Sequence, residues 1–424
     1  MIAPPLIWAL PFVLILLSIA VFPLLAPDWW GKRYPWVILP LGLLVVVYYT
    51  AFFGHGERMV ETAHDYVAFI VLIGSLFIVA GGIHVGMYGE LTPKQNVLLL
   101  AVGAALANII GTTGASMVLI RPYLRGNRWR FAPFHAVFFI FIIANCGGAL
   151  TPIGDPPLFL GYLKGVPFFW VIQHLWYRWL VAIGLLLAMF FWLDNRHYHR
   201  QSLGEQEMAA APDVFTLEGK RNLFFLALIL AAVLVGAFLP ENLVWIRELI
   251  MVTAAVGSYL STPRAIHRKN GFTFHPIREV AILFAGIFAA MVPALDWLAS
   301  NASLLGLTTP GGFYWATGAT SSVLDNAPSY LNFLAAAMGL EGLSVNDKLH
   351  VLQWIETHSH MLRAISISAV FFGAATYIGN GPNFMVKSIC DHAGAKTPGF
   401  VEYIYKYSLP FLLPVLIITY FLVR

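Results

Sequence analysis

Long runs of apolar residues follow one another along the whole of this 424-residue chain. The runs reach the roughly 20 residues that a helix needs to cross a bilayer. No stretch between them is long enough for a separate soluble domain, so we expect one membrane domain over residues 1–424. Full spans are predicted at about residues 6–26, 36–54, 66–88, 170–193, 222–240, 244–261, 278–298 and 403–423.

Two further apolar runs are interrupted by a phrase that occurs twice. The phrase TPIGDPPLF at residues 151–159 returns as TYIGNGPNF at residues 376–384. Because glycine and proline stop a helix, residues 132–163 and 361–389 are predicted to be broken helices. Each break leaves backbone N–H and C=O groups without partners in the helix. Because lipid offers no hydrogen bonds, each break must line a cavity inside the protein.

A glycine-containing segment with small and polar residues at its centre precedes each broken helix. We expect residues 96–124 and 311–338 to form re-entrant helical hairpins. With most basic loops on the cytoplasmic side, the N-terminus faces outside, the first hairpin enters from the cytoplasm and the second from the exterior. The predicted fold is an all-α polytopic membrane protein with about ten spans. It contains N-terminal helices at 1–60, inverted repeats at 61–193 and 222–424, and a cytoplasmic linker without chemistry at 194–221.

Composition agrees with this class of protein. Hydrophobic residues make up 59% of the chain and charged residues only 11%, against about 25% charged in soluble domains. The basic clusters flank apolar spans, so no nucleic-acid partner is indicated. We find no phosphate-binding loop, nucleophile elbow or metalloprotease helix, so the chain is not expected to be an enzyme or to hold a cofactor.

Asp155 and Asp325 are the two carboxylates that this predicted topology places inside the membrane. A charged residue there costs about 2.5–3.5 kcal/mol on insertion scales and indicates function. Inverted repeats would bring both to one cavity near the midplane, where they could bind sodium and protons in competition. Two alternatives are open: Asp155 could be a helix cap or turn residue, and Asp325 could form a salt bridge to Arg121 or Arg363.

Hydroxyl and amide side chains around the breaks supply further oxygen ligands. Each alone is more often a helix-packing residue, but they are concentrated in the four interrupted segments. When the two predicted hairpins are aligned at Pro122 and Pro328, Leu119 stands opposite Asp325, so the first hairpin has no carboxylate at that position. The candidate ligands are Thr113, Asn145, Thr151, Ser321, Ser322, Asn326, Thr376 and Asn380.

The sequence SVLDNAP at residues 322–328, together with the two breaks, resembles the ion transporter superfamily. Within it the chain is similar to NhaD-type sodium/proton antiporters and their citrate-transporter relatives, over nearly the whole chain from about residue 60. The resemblance implies inverted repeats, paired hairpins, a homodimer and an elevator-like movement. The Ser-Asn-Thr tripeptide of the superfamily's dicarboxylate carriers is missing from this chain, which disfavours a carrier of that kind.

Our leading prediction is therefore a sodium/proton antiporter in a bacterial inner membrane. The alternative is a cation-coupled importer of citrate or a similar organic anion. In that case Arg121 and Arg363 would be the first candidates for contacts to the substrate carboxylates. A membrane enzyme or scaffold would leave the inverted duplication unexplained.

Overall fold

The computed structural model describes residues 4–200, 214–236, 243 and 245–423. Most of the predicted linker and the end of the predicted span 222–240 lie outside these residues. Helices form nearly all of the secondary structure described. In chain order they are α1 (Leu10–Leu25), α2 (Pro27–Val47), α3 (Gly56–Gly81), α4 (Pro93–Gly126), α5 (Pro133–Ile142), α6 (Pro156–Leu163), α7 (Trp170–Tyr198), α8 (Asn222–Gly236), α9 (Trp245–Ser261), α10 (Arg264–Lys269), α11 (His275–Asn301), α12 (Pro310–Val323), α13 (Asn326–Gly339), α14 (Lys348–Phe372), α15 (Gly381–His392), α16 (Phe400–Tyr403) and α17 (Leu413–Val423).

Seven segments of the described chain are long and apolar enough to cross a membrane, so the prediction of a polytopic membrane protein is confirmed. The predicted number of about ten spans is not reached by this measure. Helices α8 and α9 contain only 15 and 17 residues, whereas the apolar runs that predicted them were longer. The seven segments are Leu6–Pro23, Pro27–Phe52, Gly56–Gly81, Pro93–Gly126, Trp170–Tyr198, His275–Leu305 and Phe400–Val423.

A two-stranded antiparallel ribbon departs from the predicted all-helical fold. Strand β1 (His84–Tyr88) pairs with β2 (Val214–Glu218), with His84 opposite Glu218. The predicted span 66–88 is therefore displaced, because α3 ends at Gly81 and the apolar residues after it form β1. Hydropathy alone does not distinguish a short apolar strand from the end of a helix.

Helix α4 is folded back on itself and forms a helical hairpin, which we call hairpin 1. Its two arms meet at Gly111, whose φ of 74° and ψ of 157° are essentially restricted to glycine. At the open end, Asn96 and Asn127 exchange side-chain hydrogen bonds of 2.8 and 2.9 Å. The predicted hairpin at residues 96–124 is thus present as a pair of helical arms.

Helices α12 and α13 form the second such pair, hairpin 2. The chain turns between them at Leu324 and Asp325, which both have extended backbone. The rings of Phe313 and Phe333, one from each arm, have centroids 6.5 Å apart. This hairpin covers the predicted segment 311–338.

Both predicted broken helices are also present. Residues 143–155 separate α5 from α6, and residues 373–380 separate α14 from α15. In the first break, a Cβ atom added to Gly154 would lie only 2.1 Å from the carbonyl oxygen of Gly148. In the second, a Cβ atom on Gly379 would lie 2.6 Å from the carbonyl oxygen of Gly373. The duplicated phrase therefore keeps glycine where two backbone segments cross.

A buried ion pair fastens the open end of hairpin 1 to α7. Asp194 is fully buried and pairs with Arg130. Its Oδ2 also accepts a hydrogen bond of 2.8 Å from Asn96, and Nε2 of His135 lies 3.1 Å from its Oδ1. The sequence predicts that a linker without chemistry begins at residue 194, but α7 continues to Tyr198 and Asp194 is one of its buried residues.

The open ends of the two hairpins lie at opposite ends of α7. Asp194 marks the end at hairpin 1. At the other end, the hydroxyl of Tyr177 donates to the carbonyl of Leu422 in α17 at 3.2 Å. Tyr420 in α17 packs on Trp315 of hairpin 2, with ring centroids 5.8 Å apart. Helix α7 has 29 residues and is about 43 Å long, so these two sets of contacts are far apart along it.

The remaining helices form a second group. Helix α11 packs on α2 and α3, and α9 packs on α3 and α8. Arg58 of α3 is joined to Asp296 of α11 at 2.8 Å. This group meets the hairpins and broken helices where α3 packs on α4 and α11 packs on α13. The site described below lies on the hairpin side of that boundary.

Candidate functional site

Asp155 is the residue at which all four interrupted segments meet. Its Oδ1 accepts hydrogen bonds from the Thr112 hydroxyl of hairpin 1 at 2.8 Å and from Asn380 Nδ2 of the second break at 3.0 Å. Its Oδ2 accepts one from Asn326 Nδ2 of hairpin 2 at 2.6 Å. The Asp155 side chain is 1% exposed, and no ion pair is formed by it in the described parts of the chain. Three neutral donors therefore hold one buried carboxylate.

The four residues of this cluster each lie at the start of a helix. Asp155 and Asn380 are the N-cap residues of α6 and α15, Asn326 begins α13, and Thr112 begins the second arm of hairpin 1 after Gly111. Each helix N-terminus carries a partial positive charge. Partial charges of this sign favour a carboxylate in the cluster over a neutral side chain.

A chain of amides extends the site from Asp155. Asn380 Nδ2 also lies 3.2 Å from Oδ1 of Asn145, and Asn145 donates to Oδ1 of Asn383 at 2.6 Å. Asn383 in turn donates to the carbonyls of Gly373 and Thr376, both at 2.8 Å. Asn145 and Asn383 are fully buried. They fix the second break against the first and leave Asn380 aimed at Asp155.

Thr151 and Thr376 occupy the same position in the two copies of the phrase and make the same contact. Thr151 donates to the carbonyl of Asn108 at 2.6 Å, and Thr376 donates to the carbonyl of Ser322 at 2.6 Å. Each threonine oxygen also accepts an amide hydrogen from its own break. Both predicted threonines therefore bind a break to a hairpin tip.

These contacts set the register between the hairpins. If Asn108 corresponds to Ser322, then Gly111 corresponds to Asp325 and Thr112 to Asn326. The proline alignment that placed Leu119 opposite Asp325 is wrong, because the prolines do not occupy equivalent turns. The two donors to Asp155 from the hairpins thus come from equivalent positions.

Asp325 has a different role from Asp155. It is partly exposed, and its Oδ1 accepts a hydrogen bond of 3.0 Å from the backbone N–H of Ala327 at the start of α13. The capping role that we considered for Asp155 therefore belongs to Asp325, whereas the Asp155 side chain makes no cap bond. In the described residues, Asp325 forms no ion pair with Arg121 or Arg363.

The other predicted ligands lie farther from the carboxylate. The Ser321 hydroxyl donates to the carbonyl of Ala369 at 2.6 Å. The Ser322 hydroxyl donates to the carbonyl of Gly318 in its own helix at 3.0 Å. In this conformation both hydroxyls serve helix packing. Thr113 instead lines a small cavity next to Asp155.

This cavity has a volume of about 30 Å³ and lies between α3, the tip of hairpin 1 and the first break. Its polar walls include Gly111, Thr112, Gly154 and Asp155. A water molecule needs at least about 10–15 Å³, so the cavity has room for about two water-sized groups and none for an organic anion. Nearby, the buried Oδ1 of Asn326 has no hydrogen-bond donor. Oxygens of this kind fit a sodium ion.

Three further residues are as closely involved as the candidate ligands given above. Thr112 and Asn383 belong to the wider set of hydroxyl and amide side chains that the sequence concentrates around the breaks, but they are not among the selected ligands. Asn108 is not predicted as a ligand. Its amide donates to the carbonyl of Gly147 at 2.7 Å and its Oδ1 accepts from the Leu150 N–H at 2.8 Å, contacts that only the fold reveals.

Comparison with known families supports the membrane transport class. A model of the family described as "Putative citrate transport" matches residues 2–424, nearly the whole chain. No functionally curated protein matches the chain. The family lies within the ion transporter superfamily, which confirms the resemblance drawn from the breaks and hairpins, and its proteins are transporters rather than enzymes. The chain therefore belongs to the putative citrate transport family.

Proposed function

We propose that this protein is a secondary transporter that carries citrate or a similar organic anion together with a cation, at a site centred on Asp155. The family match to residues 2–424 favours this substrate class over sodium/proton exchange. The observation that carries the proposal is the single buried carboxylate of Asp155 at the meeting point of four helix N-termini.

Helix N-termini and amide N–H groups favour anions. The negative charge of Asp155 opposes them and would repel a tricarboxylate that arrives alone. A cation bound beside Asp155 removes this repulsion, so substrate and cation should bind together. The cation would be held by Asp155 and by the unpaired Oδ1 of Asn326.

The membrane arrangement belongs to the same proposal. The hairpins are re-entrant, enter from opposite sides, and with their broken helices form the inverted repeats 61–193 and 222–424 around a site near the midplane. Their open ends at opposite ends of α7 support this. The 30 Å³ cavity is too small to hold citrate. Binding of citrate therefore requires the hairpins to move away from α3. Homodimer formation and a bacterial inner membrane stay predictions.

Sodium/proton exchange is the second candidate. It is favoured by a cavity beside Asp155 that has room for a cation but not for an organic anion. Proteoliposomes separate the two. Uptake of radiolabelled citrate that requires an inward sodium, magnesium or proton gradient supports the proposal. Sodium-driven dissipation of a pH gradient without any citrate uptake would establish the antiporter instead.

A further inference from the structure

A second and larger cavity opens between hairpin 1 and the ribbon, and it shares only Ile110 with the small cavity beside Asp155. Its volume is about 570 Å³, within the 300–1,000 Å³ of typical ligand pockets. Its walls come from both arms of hairpin 1, with Val118 and Leu119 from the second arm, and from the ribbon with the start of α8. They include Leu98, Val102 and Leu106 on one side and Val85, Leu217 and Leu223 on the other.

The chemistry of this cavity matches a hydrocarbon chain. Gln95 is the one polar side chain in its lining, and the other lining residues are Leu, Ile and Val. The mouth is apolar as well, since Leu98, Val102 and Leu223 are 64%, 46% and 45% exposed. In a chain that spans the membrane, an exposed apolar mouth faces lipid. Filling the cavity with water would expose its apolar walls at a cost in free energy. Leaving it empty would deprive the wall side chains of packing contacts.

One end of the cavity is basic. Lys94 directly precedes Gln95, and Arg221 lies two residues before Leu223; both are exposed. Arg125, also exposed, donates to the carbonyl of the lining residue Val85 at 3.1 Å. None of the three is joined to a carboxylate in the parts of the chain that the structure describes.

Among the described residues, the ribbon's own carboxylate at this end is already paired. Glu218 is bound by Lys269 at 2.6 Å. Basic residues near a membrane surface attract anionic headgroups.

We propose that this cavity binds an acyl chain of an anionic phospholipid, whose headgroup lies against Lys94, Arg125 and Arg221. The lipid would sit between hairpin 1 and the ribbon, where it separates the two groups of helices. This inference does not depend on which substrate is transported, so either proposal can fail alone.

Native mass spectrometry of the purified, delipidated protein with added phosphatidylglycerol or phosphatidylcholine tests the proposal. The wild type should retain phosphatidylglycerol in preference to phosphatidylcholine. Val102→Trp fills the cavity and should lose the retained lipid; Leu106→Trp repeats the test at a second wall position. Leu180→Trp, on the 57% exposed surface of α7, is the matched control and should bind lipid as the wild type does.

The headgroup contact is tested separately. Lys94→Gln with Arg221→Gln should weaken phosphatidylglycerol binding about fivefold for each residue, which corresponds to about 1 kcal/mol per basic residue near an anionic surface. Lys32→Gln with Arg33→Gln removes the same charge elsewhere and should have no effect. The proposal is overturned if the cavity-filling variants bind lipid like Leu180→Trp, or if the two lipids bind equally well to the wild type.

Discussion

Asp155 Oδ1 accepts a hydrogen bond from Asn380 Nδ2 at 3.0 Å, and these two residues occupy the same position in the two copies of the duplicated phrase. Two carboxylates at this distance would repel each other, and two amides would give the site no charge. The exchange of one acid for an amide therefore leaves a single negative charge at the centre of two related halves. In the proposed mechanism, that charge is what attracts the cation.

Asp155→Asn should abolish cation-coupled transport while the protein still folds. The new amide would face Asn326 Nδ2, but the Asn326 amide can rotate and present its unpaired Oδ1, so hydrogen bonding is preserved. We expect the free energy of unfolding to change by no more than about 1 kcal/mol. Uptake assays and thermal unfolding of the same preparation check this. Full transport by Asp155→Asn would remove the residue from the mechanism.

The double variant Asp155→Asn with Asn380→Asp moves the charge to the equivalent position. Because both positions lie at the N-terminus of a helix in the same cluster, cation binding should return in part. Cation-dependent thermal stabilisation measures this. A double variant that binds no better than Asp155→Asn would show that the two positions are not equivalent.

Asn326→Ala removes the donor to Asp155 Oδ2 and the unpaired oxygen together. Loss of a partner from a buried polar group costs about 1–3 kcal/mol, so the unfolding free energy should fall by that amount. Cation affinity should fall as well. Asn332→Ala, six residues later in the same helix, is the control and should transport normally; equal defects in the two variants would argue for a general effect on α13.

Gly154→Ala should disrupt the first break. The new Cβ would lie 2.1 Å from the Gly148 carbonyl oxygen, and overpacking of this kind costs about 1–3 kcal/mol. Transport should be lost, because Asp155 follows directly in the chain. Gly184→Ala in α7 has no neighbouring heavy atom within 4 Å and should be neutral. Wild-type transport by Gly154→Ala would contradict the close crossing at this break.

Asp194→Asn should be the most destabilising of these changes. It leaves Arg130 buried at 3% exposure without its partner, and breaking a buried ion pair costs about 3–5 kcal/mol. Glu218→Gln breaks an exposed pair with Lys269 and should leave the melting temperature unchanged. Thermal unfolding in detergent compares the two. Similar melting temperatures for both variants would mean that the ion pair between Asp194 and Arg130 contributes little to the stability of the fold.

The sequence predicted the hairpins, the breaks and most of the residues around Asp155, because glycine, proline and the duplicated phrase leave local signals. Asp194 gave no such signal. It stands at the end of an apolar run, and its partners Asn96, Arg130 and His135 are distant in sequence, so only the fold reveals their contact. The ribbon was missed for the same reason, since His84 and Glu218 pair across more than a hundred residues. The register of the hairpins also depended on tertiary contacts, from Thr151 and Thr376.

The central claim is that a cation at Asp155 enables the binding of an organic anion. Citrate-binding isotherms of the purified protein, with and without saturating sodium or magnesium, test it most directly. We predict that one of these cations raises citrate affinity by a factor in the usual coupling range of about 5–150, and that Asp155→Asn abolishes this increase. Citrate binding that is equally tight without any cation, or a cation effect that survives in Asp155→Asn, would contradict the claim.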